Sequence, residues 1–182
     1  SLRSSSTGTQ WNINPQGTRT IAYLDVKDSN NTHATLFDAR GTGSVNSGNN
    51  TNWVFSGTNL TLTWTGTTNN TFSTATNWSP AFAPDQTNNI VIPNTTNKPQ
   101  LGAHTTINSL NMSQGDAQIK LNNYNLTVST YVTIVGTVTC SGSEHITIGG
   151  NLTVTGGGRV NVAKSTISFN GTGTQVVKVK GT

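Results

Sequence analysis

The chain has little charge, little sulfur and few of the residues that favour helices. Only 9% of its 182 residues are charged, and it has one cysteine and one methionine. The single cysteine, Cys140, excludes an intrachain disulfide framework, and its position among apolar neighbours predicts a small buried core residue. No apolar run reaches the length of a transmembrane helix. The composition therefore argues against helical, disulfide-framework and helical membrane proteins.

Acidic residues are also scarce, which limits the catalytic chemistry open to the chain. Enzymes that cleave polysaccharides need carboxylates that converge on one face, as calcium ligands or as an acid/base pair. Asp25, Asp28 and Asp38 are the only acids close together in sequence. We interpret them as solvated turn residues, with a structural calcium ion as the alternative. The three histidines lack metal-ligand spacing, and no phosphate loop, serine elbow or CxxC occurs. We expect a protein that is not an enzyme and holds neither cofactor nor metal.

What the chain has in abundance is threonine, asparagine, glycine and serine, with 34, 24, 19 and 17 residues respectively. This composition is typical of short strands joined by many turns. The net charge of +4 and the pI near 9.5 reflect few acids rather than many bases. Lys178 and Lys180 alternate with valines, as on the solvent face of a strand. We therefore expect no nucleic-acid partner and no membrane insertion.

Short apolar–polar–apolar triplets recur through the C-terminal part. They begin at residues 119, 126, 132, 138, 146, 152, 160 and 167. Strict alternation predicts strands, because successive side chains point to opposite faces. Every third triplet begins 19 to 22 residues later, so three short sides make one turn of a coil. The pattern predicts an all-β fold, a parallel β-solenoid whose first and third triplet residues point inward.

The spacing of the triplets also bears on the alternatives. Left-handed hexapeptide solenoids keep a strict six-residue step, whereas the steps here vary from six to eight residues. This variation favours the right-handed type. A β-sandwich is the other all-β alternative, but it requires longer strands at wider spacing.

Three sections are predicted along the chain. Residues 1–55 are interpreted as the end of a first solenoid section, with an alternating strand at Thr20–Val26. Residues 56–105 comprise a linker, Ser56–Asn59, and an irregular capping segment. Residues 106–182 form a second section with about 20 residues per turn.

The capping segment differs in composition from both of its neighbours. Four aromatic residues and four of the five prolines lie in it; the aromatic residues are Trp64, Phe72, Trp78 and Phe82. Aromatic rings in irregular chain suit a cap over the open end of a solenoid. We expect Trp64 and Trp78 in the core of this cap rather than in an open groove.

The fragments WTG, TATNWSP, NNIVIPN and KPQL, followed by INSLNM and repeated NLTV, resemble modules of large bacterial secreted and cell-surface proteins. The stretch IAYLDVKDSN with NSGNNTNWVF shares that resemblance. The resemblance implies right-handed parallel β-helix arrays in adhesins, surface layers or fibres. It also implies an extracellular or cell-surface location.

Both ends of the sequence suggest unfinished coils, so we expect a processed subunit or a piece of a longer chain. The leading hypothesis is a structural module that assembles head to tail with copies of itself. The residues predicted to form the joints are Leu2, Val176, Val177 and Val179. An uncapped strand edge is a template for another strand, and a heterologous contact of this kind builds an open fibre.

Two other functions stay open. The first is an adhesin or glycan-binding module that uses exposed aromatic residues, with Trp53 and Tyr131 as the candidate contacts. Its partner is a glycan or a host surface. The second is a polysaccharide lyase or hydrolase, which requires two carboxylates across a cleft.

Overall fold

The computed structural model shows an all-β chain of short strands with almost no helix, a β-solenoid as predicted. The structure describes residues 1–40, 42–55 and 60–179. The predicted linker Ser56–Asn59 and Lys180 lie outside the described residues. The chain divides into two compact units, Ser1–Thr58 and Asn59–Thr182. Over the described residues of both units, the strands make about eight turns.

Unit 1 is a set of very short parallel strands. The described strands of this unit are β1 Leu2–Arg3, β2 Trp11–Ile13, β3 Asp25–Lys27, β4 Ser29–Asn31, β5 Phe37–Asp38, β6 Val45–Asn46 and β7 Trp53–Val54. They pair as three narrow sheets, in the orders β1-β3-β6, β2-β4 and β5-β7. Each sheet is one side of the coil.

Asparagine side chains hold consecutive turns of unit 1 together. Asn31 is fully buried, and its Nδ2 donates to the carbonyl oxygens of Thr35 and Asn52 at 2.8 and 3.1 Å. Asn52 Nδ2 donates back to the Asn31 carbonyl at 2.8 Å. Asn50 Oδ1 accepts from the backbone N–H of Ser29 at 3.0 Å. The polar stretch around residue 50 therefore forms a turn of the coil whose amide groups replace part of an apolar core.

The alternating segment Thr20–Val26 forms a strand only at its end, where β3 begins. Tyr23 adopts a φ of 51° and its side chain is 86% exposed. A left-handed backbone conformation interrupts an extended strand. The predicted strand is therefore shorter than its sequence pattern indicated.

Unit 2 is a longer stack of turns with three sides. Its described strands are β8 Thr61–Trp64, β9 Trp78–Ser79, β10 Asn89–Val91, β11 Thr105–Ile107, β12 Ser109–Met112, β13 Gln118–Lys120, β14 Leu126–Val128, β15 Val132–Ile134, β16 Thr137–Thr139, β17 His145–Ile148, β18 Leu152–Val154, β19 Arg159–Asn161, β20 Thr166–Phe169 and β21 Val177–Val179. One short 3-10 helix, Ala75–Asn77, precedes β9.

These strands form three sheets, which we call sheets I, II and III. Sheet I has the order β21-β18-β15-β12-β10-β8-β9, sheet II has β11-β14-β17-β20, and sheet III has β13-β16-β19. All pairs are parallel except β8 with β9. The stack begins at β8, before the boundary near residue 106 that the triplets indicated.

The register of the strands confirms the pairing that the triplets predicted. Each triplet lies on the one a full turn earlier, through the chains of Cα partners Ile119–Val138–Val160, Leu126–Ile146–Ile167 and Val132–Leu152. The first and third residues point inward and their columns form the core. Burial of one such aliphatic side chain contributes about 1.5–3 kcal/mol.

Glycines occupy the corner between sheets II and I because the chain passes very close to the turn before. A Cβ added at Gly149 would lie 2.1 Å from the Ser129 carbonyl oxygen. At Gly150 it would lie 2.4 Å from the Thr130 carbonyl oxygen. Both neighbours are backbone atoms, which cannot rotate away. The corner therefore requires residues without a side chain.

Replacing Gly149 by alanine is expected to destabilise unit 2 by about 1–3 kcal/mol, the usual cost of overpacking. The matched control is Gly115→Ala, because a Cβ at Gly115 meets nothing within 4 Å. Urea unfolding followed by circular dichroism measures both variants. Equal stability of the two variants would contradict the packing at this corner.

Candidate functional site

The candidate site is the last described turn of unit 2, formed by β19, β20 and β21. Inward-facing side chains are buried in the turn before it, whereas the inward-facing side chains of this last described turn are more exposed. On sheet II, Ile148 is 1% exposed and its partner Phe169 is 38% exposed. On sheet I, Val154 is 8% exposed and its partner Val179 is 71% exposed. The last turn therefore presents an apolar surface made of core-type residues, which we call the open end.

The three valines predicted as assembly residues all lie at this open end. Val176 is 41% exposed, Val177 is 51% exposed, and both Val177 and Val179 are in β21. β21 pairs with β18 along one edge, and no described strand pairs with its other edge. Unpaired backbone groups and exposed apolar side chains thus coincide on one strand.

The opposite end of sheet I is closed by an antiparallel strand. β9 pairs with β8 and brings Trp78 against Trp64, with ring centroids 5.0 Å apart and an interplanar angle of 77°. Phe72 packs on Trp78 at 4.9 Å, and the Trp78 Nε1–H donates to the Phe72 carbonyl at 2.7 Å. Both tryptophans are buried, as predicted for a cap core. Sheet I therefore has one closed edge and one open edge.

The fourth predicted assembly residue, Leu2, lies in the first turn of unit 1. Leu2 and Trp11 are half-buried, and Leu2 pairs with Val26 of the next turn. Arg3 forms an ion pair with Asp25. The hydrogen bond from Ser47, together with that ion pair, lowers the pKa of Asp25.

The two candidate glycan contacts differ in exposure. Trp53 is half-buried; it packs edge-on against Phe37 at 4.8 Å and stacks on Phe55 at 5.5 Å. Its Nε1–H donates to Ser29 Oγ at 3.1 Å. Tyr131 is 50% exposed. Trp53 thus takes part in the packing of unit 1, whereas half of Tyr131 is exposed to solvent.

The described acids and histidines form no cluster of metal ligands. Among the described residues, no three His, Cys, Asp or Glu side chains lie close enough together to hold a metal ion. Asp28 is buried rather than solvated, which corrects the interpretation of the three early acids as solvated turn residues. Hydrogen bonds from Asn49 Nδ2 at 2.8 Å and from the Gly8 N–H at 3.2 Å lower its pKa. This carboxylate joins segments of unit 1.

Two of the histidines, which appear isolated in sequence, lie in one column at the start of sheet II. The backbone N–H of Asn125 donates to His104 Nδ1 at 3.0 Å, and the N–H of His145 donates to Asn125 Oδ1 at 2.9 Å. Side chains at this corner thus accept hydrogen bonds from the backbone of the next turn. Their role here is structural.

Sequence reasoning missed Glu144, a buried side chain of unit 2 that accepts several hydrogen bonds. Glu144 is 1% exposed. Its Oε1 accepts hydrogen bonds from the backbone N–H of Asn123 at 3.0 Å and from that of Ser141 at 2.8 Å. Oε2 accepts from the N–H of Gly142 at 2.8 Å and from Ser165 Oγ at 2.7 Å. These donors come from three successive turns. The carboxylate thereby fastens the corner between sheets III and II.

The pKa values of Glu144 and of its neighbour Cys140 shift in opposite directions. Burial raises the pKa of the Glu144 carboxyl, but the hydrogen bonds from Ser141, Ser165 and Asn123 outweigh burial and hold the pKa far below its usual range. Cys140 is buried nearby, as predicted, and burial raises the pKa of its thiol. A thiol in that state is a poor nucleophile.

Within the described residues, no helix is long and apolar enough to cross a membrane. No protein-family model, no curated protein and no solved structure matches this chain.

The substitution Glu144→Gln is expected to lower the free energy of unfolding at pH 7 by about 1–3 kcal/mol, because the new amide faces N–H donors. The folded-state pKa lies below the unfolded value of about 4.3, so ionised Glu144 stabilises the fold above that pH. This contribution is lost as the pH falls towards the folded-state pKa. The difference between wild type and variant should therefore shrink below about pH 4.

Denaturant unfolding at a series of pH values measures this difference. Asp116→Asn is the control, because Asp116 is exposed. A variant as stable as the wild type at pH 7 would show that the carboxylate does not fasten the turns.

Proposed function

We propose that this protein is an extracellular structural β-solenoid module, a subunit of a surface fibre joined head to tail through its terminal strands. The observation that supports this most directly is the open end. Core-type residues of three sheets are exposed there, while the other edge of sheet I is capped. A stack with one open edge favours growth in one direction.

The joint is formed by strand addition. Parallel pairing along the free edge of β21 satisfies its backbone N–H and C=O groups, and inward-facing apolar residues of the added turn cover Val177 and Val179. Affinity then comes from backbone hydrogen bonds, and register comes from the alternation of the two strands.

The occupant of the open end is the first turn of a second copy of this chain. That turn contains the half-buried apolar residues Leu2, Trp11 and Ile13, which are suited to continue the inward columns. Its outward cation, Arg3, is already paired with Asp25. Lys178 on the outer face of β21 therefore does not meet an uncompensated positive charge. Because the two surfaces differ, the contact repeats into an open fibre.

The module acts as a scaffold rather than as an enzyme. The buried state of the Cys140 thiol, whose pKa is raised, supports this part of the proposal. Its partners are copies of itself, and its location is the cell surface or the extracellular space. The secreted and surface modules that the sequence resembles support that location.

A second candidate function is glycan binding through an exposed aromatic ring, as in an adhesin. The half-exposed side chain of Tyr131 favours it. Trp53 contributes less to this function, because its ring packs between Phe37 and Phe55. Loss of binding to a neutral glycan in Tyr131→Ala, with the fold unchanged, identifies this function.

The fibre proposal is tested by electron microscopy and sedimentation of the 182-residue chain. We expect filaments for the wild type. Val179→Asp places a carboxylate in the apolar joint and should lower the association constant about tenfold or more, because the charge is buried without a partner. The matched control is Thr153→Asp, which adds the same charge to an outward position of the same sheet.

Two results would contradict the proposal. The first is a wild-type chain that stays monomeric at all concentrations. The second is a native subunit that continues beyond residue 182 with strands that complete the next turn, because the open end would then be covered within one chain.

A further inference from the structure

The cationic side chains of unit 2 are concentrated on one side of the coil. Four of the five Lys and Arg residues that the structure describes between residues 60 and 179 lie on sheet III or immediately beside it. They are Lys98, Lys120, Arg159 and Lys164. The fifth, Lys178, lies in sheet I. We call this side of the coil the basic face.

The strand register places these cations along the axis of the coil. Gln100 pairs with Lys120, so Lys98 lies at the level of Gln118, in the column that continues through Thr137 to Arg159. Lys120 occupies the neighbouring outward column. Successive turns are about 4.8 Å apart. Lys98 and Arg159 therefore lie three turns apart in one column, and Lys120 lies in the neighbouring column one turn after Lys98. Lys164 is on the same turn as Arg159, between β19 and β20.

The positive charges of the basic face are not neutralised by ion pairs. Within the part of the chain that the structure describes, Lys120, Arg159 and Lys164 are exposed and have no carboxylate within salt-bridge distance. Lys98 Nζ donates to Asn94 Oδ1 and to the backbone carbonyl of Asp116, at 2.6 and 2.8 Å. These two oxygens carry no formal charge, so the ammonium charge is uncompensated.

Two acids lie near this face without neutralising it. Asp116 is at its edge, two residues before β13. The Glu144 carboxylate, at the corner towards sheet II, is buried and takes its hydrogen bonds from Asn123, Ser141, Gly142 and Ser165. The remaining field of the face is positive and attracts anions.

The outward side chains between the cations are uncharged and can form hydrogen bonds. The outward positions of sheet III that lie between or beside the cations are Gln118, Thr137, Thr139 and Asn161. None of the three strands contains an aromatic residue. Single-stranded nucleic acid is typically held by aromatic side chains on which bases stack, and this sheet has none. Hydroxyl and amide groups between point charges suit a polymer that is rich in hydroxyls as well as carboxylates.

We propose that the basic face binds a linear acidic polysaccharide, one with a carboxylate on its sugar units, which lies along the coil axis. Its carboxylates meet the side chains of Lys98, Lys120, Arg159 and Lys164. Its hydroxyls exchange hydrogen bonds with the Thr, Asn and Gln side chains of sheet III. This inference does not depend on fibre assembly and uses neither Trp53 nor Tyr131.

The probe is an oligomer of galacturonic acid with a fluorescent label, and its binding to the full chain is measured by anisotropy at several salt concentrations. We expect saturable binding that weakens as salt rises, because exposed charges are screened. The variant Lys120→Gln/Arg159→Gln should bind about tenfold more weakly, a change of about 1.4 kcal/mol, because two charge contacts are lost. The matched control, Lys27→Gln/Lys178→Gln, removes the same charge from other sheets and should bind like the wild type.

Three outcomes would overturn the proposal. No binding at low salt means that the face does not hold the polymer. Equal weakening in both double variants means that only net charge matters. Tighter binding of single-stranded DNA than of the uronate at the same salt concentration, lost in the basic-face variant, assigns the face to nucleic acid instead. Circular dichroism of each variant shows that the fold is kept.

Discussion

Each turn of this coil depends on parallel pairing with the turns before and after it. A three-residue strand such as Leu126–Val128 cannot bury its own side chains or satisfy its own backbone. Pairing with β11 and β17 does both at once, because the inward residues stack where the backbone hydrogen bonds form. Stability is therefore a property of the contact between neighbouring turns rather than of any strand. An end of the stack is the place where that contact is missing.

At the ends and corners of the coil, other groups replace the contact with a neighbouring turn or reinforce it. At one edge of sheet I, the antiparallel strand β9 and its buried Trp78 replace the missing turn. At the corner between sheets III and II, Glu144 accepts hydrogen bonds from donors on three turns. In unit 1, Asn31 Nδ2 donates to the carbonyl oxygens of Thr35 and Asn52 and so joins two neighbouring turns. Among the described residues, no capping strand or buried polar group of this kind lies at β21, which is why the proposed joint is placed there.

Because the inward positions are occupied by packing, the outward positions are free to vary. Lys120 and Arg159 point away from the core on sheet III, and their strands pair in the same register as β16, which carries threonine at these positions. The coil thereby separates the side chains that stabilise it, which point inward, from the side chains that can contact other molecules, which point outward. The proposed fibre joint uses the inward columns at one end, and the proposed polysaccharide site uses the outward columns of one side.

Local alternation in the sequence is sufficient to define the triplets, their inward residues and their pairing one turn apart, because a period of two assigns each side chain to a face. It did not reveal that Tyr23 breaks the alternating segment before β3. A non-glycine residue adopts a left-handed φ only where the surrounding structure favours it, and the local sequence does not show those surroundings. Nor did it reveal the role of Glu144, whose donors Asn123 and Ser165 lie 21 residues away on either side. The order of neighbouring residues thus determines which side chains of a strand point inward and which point outward. Which polar groups are buried, which edge is capped and which cations share a face depend on stacking between turns, and only the tertiary structure decides them.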